Sequence, residues 1–339
     1  MLCKRCVMPE SKPDIYLNEQ GLCNICSAFE SQNNNRKDDT VFHETELVKI
    51  LNKHRGKHKY DCLVMISGGK DSTSSLYYIV KKYKLNPLAM TFDHGFENEE
   101  AIYNIKNAVD SLKVDWIFFK TDFMKEMFAE IIRTKSKAVI CHLCSIWYMQ
   151  FTYETARRYD IPIIIAGWTK GQSNIPDIIS KGKCDIDAPE YQSMAKATKK
   201  FLKEHVRKMP KYKDFPMSME EVIKRAAKKH KATVLSPHWF LKTPVEEYTR
   251  LIQEELGWRF PKESYPEKST NCLLNFLSVL LSLKHYGYTH YHVEMSKMIN
   301  LNMMTRDEAL DLLEKNWDDK MIDDVLTRLG LSRKDIEDG

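Results

Sequence analysis

Residues 61–83 read DCLVMISGGKDSTSSLYYIVKKY, and this stretch decides the fold. Cys62 to Ile66 is an unbroken apolar run of strand length, and Ser72 to Tyr83 has helical periodicity. Ser67 to Asp71 is therefore the turn between a buried strand and a helix. Such a turn suits phosphate: Gly68 and Gly69 let backbone N–H groups approach an anion, the helix presents its positive N-terminus, and Lys70 adds a point charge. Asp71 and Ser72 suit a magnesium ion and the phosphate edge. The spacing is not that of the Walker loop, which sets four residues between its first glycine and Gly-Lys.

Further apolar strands follow at Leu88 to Phe92, ending in Asp93-His94-Gly95-Phe96, at Val114 to Phe119, ending at Thr121 and Asp122, and at Ile161 to Ile165, ending in AGWTKGQ. Helical segments at Glu99 to Leu112, Phe123 to Arg133 and His142 to Tyr159 separate them, and a short amphipathic one, Phe42 to Leu51, precedes them. This alternation predicts an α/β chain with a doubly wound parallel sheet and ligands at the carboxyl ends of its strands. From Glu246 the pattern becomes helical: to Leu256, from Cys272 to His285, from Thr305 to Asn316 with Thr305 and Glu308 in capping-box spacing, and from near Asp318 to a glycine stop at Gly330. Ser332 then starts a last turn. The run KHYGYTHYHVEM holds His285, His290 and His292; with tyrosines interleaved and no acidic spacing to match, it reads as a packed aromatic corner rather than a metal site. The expected organisation is a cysteine-paired module at 1–40, the phosphate-loop domain at 41–240 and a helical region at 241–339.

Of 339 residues 43% are hydrophobic and 29% charged, a globular composition that excludes fibrous and disordered classes. No window reaches the roughly 20 apolar residues of a membrane span, and Met1 to Glu10 has no apolar core behind a basic patch, so a cytoplasmic protein is expected. Nine cysteines, an odd number, read in a reducing compartment as ligands, reactive thiols or core residues rather than disulfides. Cys3, Cys6, Cys23 and Cys26 are spaced C-x2-C-x16-C-x2-C, and two such knuckles close a tetrahedral shell for a structural Zn2+. Cys141 and Cys144 in CHLCSIWYMQ lie one helical turn apart, and Cys272 in STNCLLNF can join them. Three cysteines leave an open fourth position, as in an iron-sulfur cluster with one exposed iron or a persulfide-carrying thiol with a resolving partner; the pair alone also suits plain core packing. Cys62 and Cys184 read as structural.

SGGKDS, Ser67 to Ser72, resembles the signature of the N-type ATP pyrophosphatases, the PP-loop superfamily, whose members cleave ATP between the α and β phosphates and adenylate a carbonyl oxygen. The resemblance implies that Ser67, Gly68, Gly69, Lys70, Asp71 and Ser72 hold the pyrophosphate end of ATP. It places Thr91, Phe92 and Asp93 near adenosine and Gly167 near adenine and the α-phosphate, with Lys170 and Gln172 on the reacting phosphate or the substrate.

Two branches of that superfamily are similar. The cluster-dependent thiolases, which place sulfur on transfer RNA bases, pair a C-x2-C on the helix after the third strand with one later cysteine to hold a [4Fe-4S] cluster. Cys141, Cys144 and Cys272 match that arrangement, and the lead-in SPHWFLKTPVEEYTRLIQEEL resembles theirs as a strand, a turn with Pro244, then a helix. The N-acetyl sugar amidotransferases, which turn an amide into an amidine with ammonia from a separate glutaminase, resemble this chain in CKRCVMPESKPDIYLNEQGLCNIC, in the CHLC pair and in TRDEALDLLEKNW. AGWTKGQSNIP departs from their pattern. The first resemblance implies catalysis by Cys141, Cys144, Cys272, Lys70 and Asp71 with a cysteine desulfurase as sulfur donor; the second implies a glutaminase partner.

A net charge of +5 is modest for a nucleic-acid binder. In Lys196 to Lys213 eight basic residues oppose Glu204 alone, which suits an anionic substrate, a nucleic acid or a solvated helix face. A small anionic or carbonyl-containing substrate and a homodimer are expected.

Overall fold

The computed structural model describes residues 1–33, 43–174, 183–184, 186, 188–269, 272–314 and 319–337. The expected module boundary at residue 40, the Ile175-Pro176 end of AGWTKGQSNIP, and Asn316 and Asp318 lie outside them.

β1 (Cys62–Met65), β2 (Pro87–Asp93), β3 (Asp115–Lys120) and β4 (Ile163–Ile165) form one parallel sheet that a fifth strand, Thr233–Leu235, joins beside β4. That strand is β7, because β5 (Ser173–Asn174) and β6 (Lys183–Cys184) pair separately and antiparallel. The order is β3-β2-β1-β4-β7. The chain winds outward from β1 to β3 and returns to β4 on the other side of β1, which leaves a crevice between β1 and β4 at their carboxyl ends. Both faces of the sheet are covered. Leu63, Leu88, Met90, Ile164 and Val234 share one core, while Val64, Ala89, Ile163, Ile165 and Leu235 belong to a second on the opposite face. Period-2 alternation of an all-apolar run produces this division, and each fully buried aliphatic side chain contributes about 1.5–3 kcal/mol.

The second face is covered by α2 (Glu44–His54), α3 (Lys70–Tyr77), α4 (Glu99–Leu112) and α9 (Val245–Leu256). The first carries α5 (Phe123–Arg133), α6 (Ile140–Arg158) and α8 (Met219–Lys229). The expected helix from Ser72 to Tyr83 is not uniform: after Tyr77 it widens into a π-turn, Tyr78–Lys82. Five residues on an α-helix stand roughly 140° apart. The wider i→i+5 ladder brings Tyr78 and Tyr83, both buried, back toward one face. The expected strand in SPHWFLK is instead a 3-10 turn, Pro237–Trp239, because Pro237 has no N–H for a ladder.

Beyond the sheet run α10 (Leu274–Tyr286), α11 (His290–Asn300), α12 (Arg306–Leu313), α13 (Asp319–Arg328) and the short α14 (Lys334–Glu337). Thr305 and Glu308 form the expected capping box at the head of α12. The KHYGYTHYHVEM segment is more than a corner: Gly287, at φ +74°, ends α10, and Thr289 caps the start of α11. Tyr288 and Tyr291 pack inward, but His292 serves the cap of α11 and His290 faces the crevice. α10 and α13 add Leu274, Phe276, Ile322 and Val325 to the first core, so the helical region shares its core with the sheet. At the N-terminus the four paired cysteines and α1 (Asn24–Asn33) pack on Val139, Tyr288, Val293 and, from α7 (Gln192–Phe201), Met194. No helix among the described residues is long and apolar enough to cross a membrane.

Candidate active site

Gly68 turns the chain between β1 and α3. Its φ is +79°, and a Cβ there would lie 2.3 Å from the carbonyl oxygen of Ala101 in α4, so only glycine fits. Trp258 Nε1 donates to the Gly68 carbonyl at 2.8 Å and Asn104 Nδ2 at 3.1 Å, which holds that carbonyl toward the protein. Ser72 Oγ closes the loop, accepting from the Ser67 amide and donating to the Gly69 carbonyl, both at 3.2 Å. Gly69 is the N-cap of α3 and supplies no capping side chain, which leaves first-turn amides for an anion. The loop after β4 approaches the same helix end: a Cβ on Gly167 would lie 2.6 Å from both the amide nitrogen and the Cα of Ser72. Bare backbone at these two glycines lets the turn after β1, the first turn of α3 and the loop after β4 pack directly on one another and on α4.

Asp71 is held from three sides. Tyr248 Oη donates to its Oδ1 at 2.5 Å, Lys70 Nζ lies 3.3 Å from its Oδ2, and His238 Nε2 donates to its carbonyl at 2.9 Å. Burial lowers the pKa of His238, which is therefore neutral.

A cavity of about 430 Å³ runs from Ser67, Asp71 and Ser72 to Cys141, Cys144 and Cys272. α6 starts at Ile140, ahead of the expected His142, so Cys141 sits in its first turn and Cys144 one turn on. Cys141 Sγ donates to Ser278 Oγ of α10 at 3.1 Å. Cys272 arrives by backbone pairing: it bridges Glu97 antiparallel, and the Leu273 amide donates to the Phe96 carbonyl at 2.8 Å. Arg328 lies over the Phe96 ring at 4.8 Å and donates to the Gly95 carbonyl, which fixes that turn. Burial raises the pKa of all three thiols; Cys141 and Glu97 raise Cys144 further, and Glu97, Cys141 and Cys144 raise Cys272 further. They are thiols until a cation or a reaction partner ionises them.

Three cavity residues escape the sequence reading. His94 and Glu97 follow β2, with His94 Nε2 at 3.6 Å from Cys272 Sγ and 3.7 Å from Glu97 Oε1. Glu294 of α11 is half-buried, and desolvation together with Asp71 pushes its pKa up to about 7 against the pull of Lys70 and a hydrogen bond from Gln172. A Cβ on Gly171 would lie 3.0 Å from Glu294 Cγ, so the loop after β4 packs on this helix too. The available signals were the His-x2-Glu spacing of His94 and Glu97 and the one-turn spacing of His290 and Glu294. His142 and His290 also line the cavity, and burial lowers them to about 3 and about 4.

The other expected nucleotide residues divide. Phe92, Gly167 and Gln172 line the cavity. Thr91 does not: its hydroxyl donates to the Ile66 carbonyl at 2.8 Å and accepts from Trp116 Nε1 at 3.0 Å. Asp93 Oδ1 accepts from the Gly95 amide at 2.6 Å and so shapes the turn. Lys170 is half-buried beside Lys242, off the cavity, and burial followed by that like charge lowers its pKa. Lys70 lines a small neighbouring cleft with Gly68, Asn98 and Lys268. Cys62 is core; Cys184 lies in β6.

Cys3, Cys6, Cys23 and Cys26 are wholly buried with all four Sγ atoms within 4.8 Å of one another. The Cys6–Cys23 and Cys3–Cys26 separations are 3.5 and 3.9 Å. A tetrahedral zinc ion with sulfur at about 2.3 Å sets its ligands roughly 3.8 Å apart, so the donor set fits. The Cys23 amide and Asn300 Nδ2 donate to Cys3 and Cys26 Sγ at 3.2 and 3.5 Å. Hydrogen bonds from Cys23 and Cys26 depress Cys6; hydrogen bonding with Cys23 and Cys6, then burial, pushes Cys26 up, and against a hydrogen bond from Cys26, hydrogen bonding with Cys6 and then burial push Cys23 up, as expected of thiols crowded without a cation.

Residues 61–243, more than half of the chain, match the family model of the queuosine biosynthesis protein QueC. The chain belongs to the QueC family. It is accordingly a member of the PP-loop ATP pyrophosphatase superfamily and an ATP-utilising enzyme. Residues 270–338 of this QueC-family chain match a second model, the C-terminal domain of the LPS biosynthesis protein WbpG-like proteins. The uncharacterized protein MJ1599 of Methanocaldococcus jannaschii is 24% identical over 286 residues, 84% of this chain and 83% of that one. Among solved structures, the U34-tRNA thiolase NcsA from Methanococcus maripaludis with its [4Fe-4S] cluster is 16% identical at a TM-score of 0.36, covering 94% of this chain and 89% of its own. NMN synthetase from Francisella tularensis is 12% identical at 0.38, covering 85% and 94%. At these scores the likeness extends to neither substrate nor mechanism.

Proposed function

We propose that this QueC-family chain adenylates a carbonyl or amide oxygen with ATP and then replaces that oxygen by sulfur at Cys141, Cys144 and Cys272. One observation carries the reading: the three thiols and the phosphate loop line the same cavity. Ser67, Gly68, Gly69 and the first turn of α3 receive the phosphates, Asp71 and Ser72 hold Mg2+ with them, and Lys70 faces the departing pyrophosphate from its cleft. Phe92, Gly167 and Gln172 bound the nucleoside and substrate side, with Thr91 and Asp93 behind them as supports. The substrate oxygen attacks the α-phosphorus, forming an O–P bond as the bond to pyrophosphate breaks. A sulfide lone pair then adds to the activated carbon, and the C–O bond breaks as AMP leaves.

Three half-buried thiols lining one cavity gain from a cationic centre, and they fit the three-cysteine set of a [4Fe-4S] cluster. Such a cluster, when bound, supplies one iron free to accept exogenous sulfide. Glu294 stands where it can take the proton of an amide N–H as its oxygen is activated. Partners under this reading are a small anionic, carbonyl-containing substrate and a cysteine desulfurase. The exposed lysines of the Lys196–Lys213 stretch, Lys199, Lys200, Lys203, Lys208, Lys211 and Lys213 among them, suit a nucleic acid carrying that carbonyl. Zinc at the N-terminal knuckle, a cytoplasmic setting and a homodimer complete the reading.

The match of residues 270–338 to the WbpG-like domain favours a second reading, in which ammonia from a glutaminase is the nucleophile and an N-acetylated sugar the substrate. Incubation with MgATP and either sulfide or ammonium, over panels of nucleosides and N-acetylated nucleotide sugars, separates the two. Mass spectrometry of a product with oxygen exchanged for sulfur supports the first reading; exchange for imino nitrogen supports the second. Pyrophosphate release equal in wild type and Lys70→Ala contradicts the loop assignment shared by both.

A further inference from the structure

We propose that His94, Glu97 and Cys272, which line the same cavity as the phosphate loop, form a site for a single divalent ion of the zinc or ferrous class. Their ligand atoms lie within 4.8 Å of one another, with His94 Nε2 at 3.6 Å from Cys272 Sγ and 3.7 Å from Glu97 Oε1. A tetrahedral ion about 2.0–2.3 Å from nitrogen, oxygen and sulfur sets its ligands roughly 3.3–3.8 Å apart, so the trio needs little adjustment. One imidazole, one carboxylate and one thiolate favour a borderline cation over magnesium or calcium, which want oxygen.

Backbone geometry builds the trio. Gly95, at φ +88°, and the Asn98 cap of α4 set His94 and Glu97 on one turn, and the Glu97–Cys272 bridge brings the third ligand. The imidazole is 4% exposed, its Nδ1 has no hydrogen-bond partner, and the rings of Phe96 and Phe128 stand 5.9 and 5.8 Å away. Apolar walls therefore hold the ring with Nε2 toward the other two ligands. Three protein ligands leave a fourth position, and because all three line the cavity that position opens on it. The site does not depend on sulfur chemistry: Cys272 is shared with the cluster proposed above, so the single ion occupies chains in which no cluster has been assembled.

Full-length protein loaded with zinc and desalted is expected to carry about two ions per chain, one at the N-terminal knuckle and one here. His94→Ala and Glu97→Gln should each fall to about one, with the knuckle ion showing that the chain has folded, while Cys141→Ala should keep about two. Cobalt in place of zinc gives a second readout in the unmodified chain, as ligand-field bands of two sites rather than one. A wild-type chain holding a single zinc, or variants holding as much as wild type, overturns the proposal. The zinc count is taken on iron-free protein: a second zinc there supports this site whether or not a cluster can later be reconstituted, and its absence overturns the site even if a cluster then forms.

Discussion

Gly167 and Ser72 stand so close that a Cβ on the glycine would lie 2.6 Å from the serine's amide nitrogen and Cα. The loop after β4 is thus pressed against the first turn of α3, with no side chain between the two strand ends that flank the crevice. Gly167→Ala should force these backbones apart. We expect a stability loss of about 1–3 kcal/mol and at least a tenfold loss in affinity for an ATP analogue, read by thermal unfolding and calorimetric titration. Unchanged affinity would remove Gly167 from the nucleotide cradle.

Tyr248 reaches Asp71 from α9, across the sheet's second face, at 2.5 Å. Tyr248→Phe deletes a hydrogen bond to a charged group and should cost about 1.5–3 kcal/mol in denaturant unfolding. The same variant should weaken Mg2+-dependent ATP binding more than Mg2+-free binding, because Asp71 loses its orientation. Equal weakening would separate Asp71 from the metal.

Glu294 makes stability depend on pH. Its pKa is about 7 when folded against an ordinary 4.5, so between those values the folded chain binds the extra proton and stability falls as pH rises. The penalty is on the order of 3 kcal/mol when complete, above about pH 7. His142 and His290, lowered to about 3 and about 4, act oppositely, since below 6.5 the unfolded chain takes their protons first. The contribution of Glu294 therefore shows as a difference: Glu294→Gln should gain on wild type as pH rises from 4.5 to 7, measured by urea unfolding. A constant difference between the two proteins would place the Glu294 carboxyl in an ordinary environment.

The four-cysteine knuckle shares its core with Tyr288 and Val293 of the C-terminal region. Cys6→Ser, or prolonged chelation, should therefore destabilise more than residues 1–33, by over about 2 kcal/mol, with zinc lost in proportion. Full stability without zinc would make the four cysteines ordinary core.

Much of this was legible from the chain. An all-apolar run before SGGKDS can only be a buried strand, and the fixed spacings C-x2-C and Thr305-x2-Glu308 carry their geometry within a few residues. The nucleotide side was less so, because Thr91 and Asp93 sit at the right strand end but spend their side chains on Ile66, Trp116 and Gly95. Glu294 and the His94–Glu97–Cys272 trio were not read, since tertiary packing alone brings α11 over the loop after β4 and residue 272 beside residue 97. The short β7 carries too few residues for a period, and the strand expected in SPHWFLK falls just beyond it, on the 3-10 turn Pro237–Trp239.

The central claim is that Cys141, Cys144 and Cys272 act together beside an ATP site, and anaerobic purification with iron and acid-labile sulfide analysis tests it most directly. The account predicts a brown wild-type protein with cluster-type absorption, and a colourless one, still containing its knuckle zinc, after substitution of any of the three cysteines by alanine. A colourless wild-type protein containing zinc alone after anaerobic reconstitution would contradict it.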